Sequence, residues 1–451
     1  MELAGRNVVL LGLGARTNVE LARYLVARDA RVTISDRKPA DQLKTELALL
    51  GDLPVRLALG GHQETDVLAA DVVFVTPGVP RDLPMLVEAR RRGVPLSSEI
   101  ELLFEECRSP IVGVTGSSGK TTTTTLVGLM LREDGRRVYV GGNIGVPLIN
   151  RLDEIGDRSW VVLELSSFQL EALGRSPAVG AILNVTPNHL DRHHTMEAYA
   201  EAKLNILRHQ HPEDSAVLGL DDPGAAALAP RCPGHVGWFS ASQPVERGAC
   251  LVGTQVVLRR GAGDEAVCDT GEIRLLGQHN VLNVLAATAI AGAAGASVDA
   301  VSRVATTFTG VEHRLEPIRT LDGVTWYNDS IATTPERTNA ALRSFSQPLV
   351  LIAGGRSKHL PLDEMVQLIG ERCRAVVTIG EMADEIAEAI RASGVAVPVE
   401  HAVGLSDAAV RARRLARPGD AVLLSPSGTS FDAFRDFEER GRLFKEAVQA
   451  L

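Results

Sequence analysis

The segment that most constrains the fold is IVGVTG at 111–116, a short apolar run that leads directly into SSGKTTTTT. A strand, a glycine-rich turn and the start of a helix together present backbone N–H groups and the positive end of a helix dipole to an anion. Lys120 can bridge the outer phosphates of a nucleotide, and the hydroxyl of Thr121 can bind Mg²⁺. The segment therefore predicts a phosphate-binding loop in an α/β sheet.

The glycine spacing of this loop differs from that of the strict phosphate-loop motif. The motif places its first glycine where this chain has Val114, and Gly113 stands one position too early. A Gly-Ser turn that merely connects a strand to a helix is the alternative interpretation. The run Gly119-Lys120-Thr121 favours the phosphate site, because it follows a predicted strand and opens a predicted helix.

Strand-like and helix-like segments alternate along the whole chain. Strands are predicted at NVVLLGLG, RVTISD and DVVFVTPGVP, at IVGVTG, WVVLELSS and GAILNVT, and at VTWYND, PLVLIAGG, AVVTIG and AVLLSPSG. This alternation predicts parallel sheets covered by helices, and 451 residues suit three domains of roughly 150 residues each. We predict a Rossmann-like domain at 1–95, a central P-loop ATPase-like domain at 96–310 and a second Rossmann-like domain at 311–451.

Two segments of the central domain differ from the alternating pattern. Residues 222–275 are rich in Gly and Pro and predict surface hairpins and loops. The Ala-rich run from Val281 to Val298 is interrupted by polar residues, so we predict a buried helix and not a membrane span. The N-terminal run MELAGRNVVLLGLG lacks the basic segment and cleavage site of a signal peptide, so we expect a cytoplasmic protein without membrane insertion.

Charge and cysteine content narrow the class of partner. The formal net charge of −9 argues against a nucleic-acid partner, which normally requires a basic surface. Five scattered cysteines without a CxxC pair fit reduced thiols better than a disulfide framework. We expect small-molecule substrates and a monomeric chain.

A series of further motifs resembles the Mur ligases, in family order and over nearly the whole chain. The motif LELSSFQLE favours, within that family, the members that add D-glutamate. The motifs are TGSSGKTT at 115–122, GGNIG at 141–145, LELSSFQLE at 163–171, NVTPNHLDRH at 184–193, GQHNVLNVLAA at 277–287, HRLE at 313–316, YNDSIATTPE at 327–336, AGGRSK at 353–358 and SPSGTSFDAFRDFEERG at 425–441.

The resemblance implies an ATP-dependent amide-bond ligase of peptidoglycan precursor synthesis. In the family reaction, the carboxylate of UDP-N-acetylmuramoyl-L-alanine takes the γ-phosphoryl group of ATP and becomes an acyl phosphate. The amine of D-glutamate then attacks the activated carbonyl, and phosphate leaves. Cations and aligned amides are needed because several anions meet at one place. The implied cofactors are ATP and two Mg²⁺ ions.

The resemblance also implies a catalytic and metal site. Lys120 is the implied phosphate clamp, and Thr121 is an implied Mg²⁺ ligand. Without the resemblance, Glu164 could be a charge at a helix N-terminus and His189 an ordinary loop histidine. Lys203 could be a solvated residue on a helix surface. Zinc is a further alternative for NHLDRHH, but no cysteine or second histidine pair stands at a zinc spacing. The implied ligands of the second metal are Glu164, His189 and, after carbamylation by CO₂, Lys203.

The implied ATP site draws on the central and third domains. Asn280 and Asn283 lie three positions apart, so they share a helical face. Capping of the helix N-terminus is the alternative role for them. The implied ATP-binding residues are Gly116, Ser117, Ser118, Gly119, Lys120, Thr121, Thr122, Asn280, Asn283, Arg314 and Asp329.

The nucleotide-sugar site is implied in the first domain. Gly12-Leu-Gly14 follows a strand and Asp36 ends the next one, as in a dinucleotide fingerprint, but Thr17 replaces the third glycine. Arg16 and Arg37 suit a diphosphate, because arginine can bind phosphate through two hydrogen bonds. The alternative is that both are solvated surface arginines. The implied UDP-sugar residues are Ala15, Arg16, Asp36, Arg37, Thr76, Gly78, Asn143, Ser166 and Gln169.

The implied amino-acid site contains one departure from the family pattern. Where many members have NDSKAT, this chain has NDSIAT, so Ile331 cannot supply the charge of a lysine. Arg337 and Arg356 are the candidates to replace that charge. The implied amino-acid residues are Thr333, Lys358, Ser430, Phe431 and Phe437.

Two other classes of function remain as alternatives. A related ligase that adds another amino acid, or L-glutamate, would share most of these motifs. A nucleotide-binding oxidoreductase or a non-catalytic binding module would explain the first-domain glycines. It would leave the TGSSGKTT loop and the third domain without a purpose.

Overall fold

The computed structural model describes residues 2–14, 17–145, 147–171, 173–261, 263–275, 277–358 and 360–451. Ala15 and Arg16, two of the implied UDP-sugar residues, lie outside the described residues. The chain forms two compact units, Met1–Phe308 and Thr309–Leu451. The first unit contains two sheets and the second contains one.

The first sheet consists of five parallel strands in the order β3-β2-β1-β4-β5. Its strands are β1 (Asn7–Leu11), β2 (Arg31–Asp36), β3 (Arg56–Leu59), β4 (Val72–Val75) and β5 (Leu96–Ser97). Val8 and Leu10 belong to one core cluster and Val9 and Leu11 to another. Alternate residues of β1 are therefore buried on opposite faces, which explains its continuous apolar run. The accompanying helices are α1 (Asn18–Val26), α2 (Lys44–Leu50), α3 (Glu64–Leu68), α4 (Pro84–Arg91) and α5 (Glu99–Glu106).

The second sheet has nine strands in the order β14-β13-β12-β11-β10-β9-β6-β8-β7. Its strands are β6 (Ile111–Thr115), β7 (Arg137–Gly142), β8 (Ser159–Glu164), β9 (Val179–Ile182), β10 (Ser215–Gly219), β11 (His235–Ser240), β12 (Gly248–Val252), β13 (Gln255–Arg259) and β14 (Asp264–Asp269). β13 pairs antiparallel with both β12 and β14, and the remaining pairs are parallel. The accompanying helices are α6 (Lys120–Glu133), α7 (Ser167–Leu170), α8 (Leu190–His193), α9 (Met196–Arg208), α10 (Pro223–Ala226), α11 (Gln278–Ala293) and α12 (Val298–Thr307).

Two predictions for this region were partly wrong. The 222–275 segment does contain a hairpin, but its strands continue the central sheet, and Cys250 and Val256 in them are buried. The predicted helix over Val281–Val298 is buried but ends at Ala293. Gly295 adopts a left-handed conformation there, with φ of +81°, and such a residue commonly ends a helix.

The third sheet has six strands in the order β15-β16-β20-β17-β18-β19. Its strands are β15 (Glu316–Leu321), β16 (Val324–Asn328), β17 (Leu349–Gly354), β18 (Cys373–Ile379), β19 (Val399–His401) and β20 (Ala421–Ser427). β15 pairs antiparallel with β16, and the remaining pairs are parallel. The helices are α13 (Pro335–Arg343), α14 (Asp363–Arg372), α15 (Ala383–Ala392), α16 (Leu405–Leu415) and α17 (Phe437–Gln449). The predicted α/β class with parallel-rich sheets is confirmed.

The strand order fixes where ligands can bind. In the second sheet β6 lies between β8 and β9, two strands that follow it in the chain and pair with it on opposite sides. Ligands of such sheets bind beyond the carboxyl ends of the strands, at the point where the order reverses. The loop after β6 lies at this point. No helix among the described residues is long and apolar enough to cross a membrane.

Candidate active site

The loop after β6 turns directly into the N-terminus of α6. Gly119 adopts a φ of +78° and caps the N-terminus of α6. A side chain at 119 would collide with Oδ1 of Asn283. A side chain at Gly116 would approach Cβ of Leu183 to 2.9 Å. Gly119 is therefore required by its backbone conformation and Gly116 by space.

A neighbouring segment after β9 holds the loop in place. The backbone N–H groups of Ser117 and Ser118 donate to the backbone oxygen and Oδ1 of Asn184, at 3.1 and 2.9 Å. The hydroxyl of Ser117 donates to the oxygen of Thr186 at 2.9 Å. The loop is thus ordered before any phosphate arrives, which lowers the entropic cost of binding.

Lys120 is positioned by the loop that it follows. Its Nζ donates to the backbone oxygens of Gly116 and Ser117, at 2.8 and 3.2 Å. The ammonium group therefore lies across the turn, beside the N-terminus of α6. A phosphate placed there would meet both a positive side chain and the positive end of a helix dipole.

Glu164, Thr121 and Asn143 come together at the carboxyl end of β8. The hydroxyl of Thr121 donates to Oε2 of Glu164 at 2.8 Å, and Nδ2 of Asn143 donates to Oε1 at 2.7 Å. Glu164 is 2% exposed. A carboxylate and a hydroxyl at hydrogen-bond distance beside a phosphate loop are oxygen donors of the kind that Mg²⁺ prefers. The donor set therefore fits Mg²⁺.

Lys203 is buried, so the solvated alternative for this residue was wrong. Its side chain is 1% exposed; Nζ lies 3.5 Å from Oγ1 of Thr115 and 4.4 Å from the ring centroid of Tyr199. Burial, and secondarily the charge of Lys120, lower the pKa of Lys203 to about 6. The amine is therefore largely uncharged at neutral pH and keeps a free electron pair.

His189 begins α8 in a left-handed conformation, with φ of +54°. Its ring packs edge-on against Phe168 at a centroid distance of 5.0 Å. His193 is instead buried, and its Nε2 lies 2.9 Å from the hydroxyl of Ser167. Among the described residues no group of three or more His, Cys, Asp or Glu side chains could hold a metal.

A pocket of about 230 Å³ adjoins the phosphate loop. Asn283 lines it, and Nδ2 of Asn283 donates to Oδ1 of Asn280 at 2.9 Å. Sequence reasoning missed its apolar wall, to which Leu183, Phe239 and Leu282 contribute. The apolar pattern of the sequence indicates only that these residues are buried. Their position beside the phosphate loop depends on the order of the strands in the sheet. The pocket is apolar with a few polar groups, as expected for a base-binding site.

The implied UDP-sugar residues of the first sheet are only partly brought together. Asp36 accepts from the backbone N–H of Leu13 at 2.7 Å and from that of Lys38 at 2.8 Å. A side chain at Gly12, whose φ is +89°, would collide with Thr76. Asp36 thus holds the glycine turn, whereas Arg37 is exposed. The turn after β4 continues through Gly78, whose backbone N–H lies 3.5 Å from Oγ1 of Thr76.

A second, smaller pocket of about 30 Å³ joins the two sheets of the first unit. Thr76 and Gln169 line it, together with Glu99, which sequence reasoning missed. Gln169 forms a capping box with Ser166, accepting its backbone N–H at 2.9 Å. Burial raises the pKa of Glu99 to about 7. A buried carboxyl in a pocket is a functional candidate that no sequence motif marked.

In the second unit, Asp329 follows β16 and is 4% exposed. It accepts from the hydroxyl of Ser425 at 2.8 Å and the N–H of Leu315 at 3.2 Å. Burial raises the pKa of Asp329 to about 7, against the smaller effects of these hydrogen bonds and of the Arg314 and Arg337 charges. The structure thus places Asp329 and Arg314 close enough to interact electrostatically.

The implied amino-acid residues follow three adjacent parallel strands of the third sheet. Thr333 follows β16, Lys358 follows β17, and Ser430 follows β20. Ser430 is 2% exposed, whereas Phe431 is 57% exposed. Phe437 begins α17 and accepts from the hydroxyl of Ser330 through its backbone oxygen, at 2.8 Å.

Comparison with known proteins decides the family. Family models match the MurD-like N-terminal domain of Mur ligases at 6–98, the Mur ligase middle domain at 114–291 and the Mur ligase glutamate ligase domain at 313–428. The chain belongs to the Mur ligase family. The predicted enzyme class, an ATP-dependent ligase, is confirmed. Mur ligases use ATP and Mg²⁺, so the predicted cofactors are confirmed in this general form.

Two Mur ligases illustrate the sequence similarity. A UDP-N-acetylmuramoylalanine--D-glutamate ligase of Symbiobacterium thermophilum is 49% identical, over 98% of this chain and 97% of its own length. A protein of the same name from Acetivibrio thermocellus is 41% identical, over 100% and 97%. Similarity at this level extends over all three domains of a Mur ligase.

Solved Mur ligase structures share the fold. UDP-N-acetylmuramate-alanine ligase MurC of Thermotoga maritima has a TM-score of 0.56 at 19% identity, covering 99% of each chain. MurF of Acinetobacter baumannii has a TM-score of 0.57 at 18% identity, covering 98% of this chain and 92% of its own. The three-domain architecture predicted from the sequence is confirmed, while the boundaries at 95 and 310 stay predictions.

Proposed function

We propose that the chain joins D-glutamate to UDP-N-acetylmuramoyl-L-alanine at the expense of ATP, a step of peptidoglycan precursor synthesis. The observation that carries the proposal is the meeting of Lys120, Thr121 and Glu164 beside a helix N-terminus. The D-glutamate ligase at 49% identity supports the choice of substrates.

The chemistry requires an unreactive carboxylate to be activated. Lys120 and the N–H groups of its loop stabilise the charge that develops on the γ-phosphoryl group during transfer to the muramoyl-alanine carboxylate. Thr121 and Glu164 hold a Mg²⁺ ion, which neutralises phosphate charge when bound. The glutamate amine then displaces phosphate from the acyl phosphate, and an amide bond forms.

We further propose a second Mg²⁺ bound by Glu164, His189 and Lys203. Lys203 supports this assignment because an uncharged buried amine can react with CO₂ to form a carbamate. The carbamate would supply a carboxylate-like ligand in addition to Glu164 and His189. Asn143 orients Glu164 through its 2.7 Å hydrogen bond.

The remaining substrate groups are assigned by position. Adenine occupies the 230 Å³ pocket beside Asn280 and Asn283. Arg314 and Asp329 of the second unit are assigned to ATP by the family resemblance alone. The nucleotide sugar takes the turns around Asp36 and Thr76 and reaches Gln169. Glutamate occupies the carboxyl ends of β16, β17 and β20. The three assigned domains are 1–95, 96–310 and 311–451.

We also propose that the chain acts as a cytoplasmic monomer on small molecules alone. Its formal net charge of −9 supports the absence of a nucleic-acid partner. A sedimentation experiment with both nucleotide substrates should give the mass of one chain. A dimer under these conditions would contradict this part of the proposal.

The test is a single-amino-acid ligation assay. Purified chain, ATP, Mg²⁺ and UDP-N-acetylmuramoyl-L-alanine are incubated with one amino acid at a time, and phosphate and the ligated product are measured. Product with D-glutamate, and its loss in Lys120→Ala, is the expected result. The exposed Lys44→Ala should match the parent. Turnover only with L-glutamate or another amino acid would replace the proposed substrate, and an active Lys120→Ala would refute the proposed chemistry.

A further inference from the structure

Two cations of the second unit lie at the carboxyl edge of the third sheet, and neither forms an ion pair with another described residue. Lys358 follows β17, and Arg337 stands in the first turn of α13, just after β16. In the described part of the chain, no carboxylate lies within ion-pair distance of either side chain. Arg356, which follows the same strand as Lys358, is by contrast paired with Glu381.

The contacts of Arg337 anchor its side chain near the loop after β16. Its Nη1 donates to the backbone oxygen of Ile331 at 3.0 Å, and its own N–H donates to Thr334 at 3.1 Å. No partner for Nε or Nη2 occurs among the described residues. A guanidinium that is held at one nitrogen, with others open, can bind a carboxylate through two parallel hydrogen bonds.

Electrostatics favour an anion at this edge. Burial, and secondarily the charge of Arg337, lower the pKa of Lys358, so the two cations are near enough to repel each other. Asp329 interacts electrostatically with Arg337, but burial raises its pKa to about 7, and it forms no ion pair with Arg337 or Lys358 in the described part of the chain. An anion between Arg337 and Lys358 would relieve this repulsion.

A hydroxyl at the same edge also lacks a partner. Oγ of Ser427 is buried and has no hydrogen-bond partner among the described residues. Its backbone N–H donates to Ala332 at 2.9 Å, which ties the end of β20 to the loop that carries Ile331. The two cations and this hydroxyl therefore all lie where three parallel strands end, which is the usual position of a ligand.

We propose that Arg337 binds one carboxylate of the incoming amino acid while Lys358 binds the other, so that Arg337 selects a dicarboxylic substrate. The inference rests on the proposed ligase function. It also explains how the chain functions with the apolar Ile331 in this loop. Arg356 is not available for this role, because Nε and Nη2 of its guanidinium are paired with both carboxylate oxygens of Glu381, at 3.0 and 3.1 Å.

The experiment compares Arg337→Gln with the parent in the complete ligation reaction. Loss of a charged hydrogen-bonded pair should raise the KM for D-glutamate about 10-fold or more. The KM values for ATP and the nucleotide sugar should change less than about twofold, and kcat at saturating D-glutamate should be kept. Glutamine still offers an N–H to Ile331, so a merely structural tie would leave the KM unchanged. Arg343→Gln, on the same helix, is the matched control.

A charge-restoring variant separates charge from shape. Adding Ile331→Lys to Arg337→Gln should recover most of the lost affinity for D-glutamate, because it returns a cation to the same loop. The inference is overturned if Arg337→Gln keeps the parental KM for the amino acid. It is also overturned if the KM for ATP rises instead, which would identify a phosphate as the partner, or if Arg356→Gln alone reproduces the effect. If the parent enzyme ligates a different amino acid, the proposed substrate is refuted. The KM of Arg337→Gln for that amino acid, compared with the KM of the parent, would then test the role of Arg337 independently.

Discussion

The hydroxyl of Thr121 donates a 2.8 Å hydrogen bond to Oε2 of Glu164, 43 positions along the chain. Thr121 lies in the first turn of α6 and Glu164 ends β8, so the contact exists only because β6 and β8 are neighbours in the sheet. It brings the two oxygen donors of the proposed Mg²⁺ site together. Asn143 occupies the other carboxylate oxygen.

Replacing the hydroxyl should change the dependence on Mg²⁺. Thr121→Val removes one oxygen donor, so we expect half-maximal activity to need about 10-fold more Mg²⁺, as is typical when metal ligation is weakened. Thr121→Ser should behave like the parent. The measurement is the initial rate of phosphate release against free Mg²⁺. Thr125→Val serves as control, because its hydroxyl only bonds the backbone oxygen of Thr121 within the helix. An unchanged Mg²⁺ profile for Thr121→Val would remove Thr121 from the metal site.

The proposed carbamate on Lys203 predicts a dependence on CO₂ and pH. Because the pKa of Lys203 is about 6, its amine is mostly neutral above that pH and can react with CO₂. Activity of CO₂-depleted enzyme should therefore recover on adding bicarbonate at pH 7.5, and recover less at pH 5.5. Lys203→Ala should lose at least about 100-fold in kcat, with partial recovery in formate. A Lys203→Ala variant as active as the parent would contradict the proposed role.

Arg440 connects two loops of the proposed amino-acid site and is fully buried. Its Nε and Nη2 donate to the hydroxyl and backbone oxygen of Ser330, at 3.0 and 2.8 Å, and Nη1 donates to the oxygen of Gly428 at 3.1 Å. Arg440→Leu would leave these buried oxygens without a donor, at a cost of about 1–3 kcal/mol for each. We expect a lower melting temperature by calorimetry and weaker D-glutamate binding. Arg442→Leu removes an exposed arginine from the same helix and should change neither the melting temperature nor D-glutamate binding. Equal effects of the two substitutions would show that the buried hydrogen bonds of Arg440 are unimportant.

The buried Glu99 predicts a specific pH dependence of stability. Its pKa is raised from 4.5 to about 7 in the folded chain, so the folded state holds a proton that the unfolded state releases. The resulting penalty is absent below pH 4.5, grows as the pH rises to about 7 and is constant above, with an upper bound of about 3 kcal/mol. Glu99→Gln should therefore melt at a higher temperature than the parent at pH 8 and at a similar one near pH 4.5. A melting-temperature difference that does not vary with pH would contradict the assigned ionisation.

Local sequence was sufficient for the elements that carry the phosphate loop. Gly119 and Lys120 stand between a continuous apolar strand and a helix, and their conformations depend on neighbours in sequence. Lys203 was different, because its helix gives no local sign that one lysine is buried among Thr115 and Tyr199. The antiparallel strands after residue 240 were likewise assigned to the surface, since glycine and proline content does not reveal pairing with a distant strand.

The sequence by itself determined the order of strands and helices, the phosphate turn and the set of family motifs, since periodicity, glycine conformation and helix starts depend on adjacent residues. Tertiary structure decided which of the named residues meet. Thr121 reaches Glu164 through the neighbouring position of two strands, and Glu99 enters a pocket beside Gln169. Arg337 stands near enough to Lys358 to affect its pKa, and no described carboxylate forms an ion pair with either. Distances between residues far apart in the chain, and the burial that shifts their pKa values, arise from packing that a one-dimensional pattern does not encode.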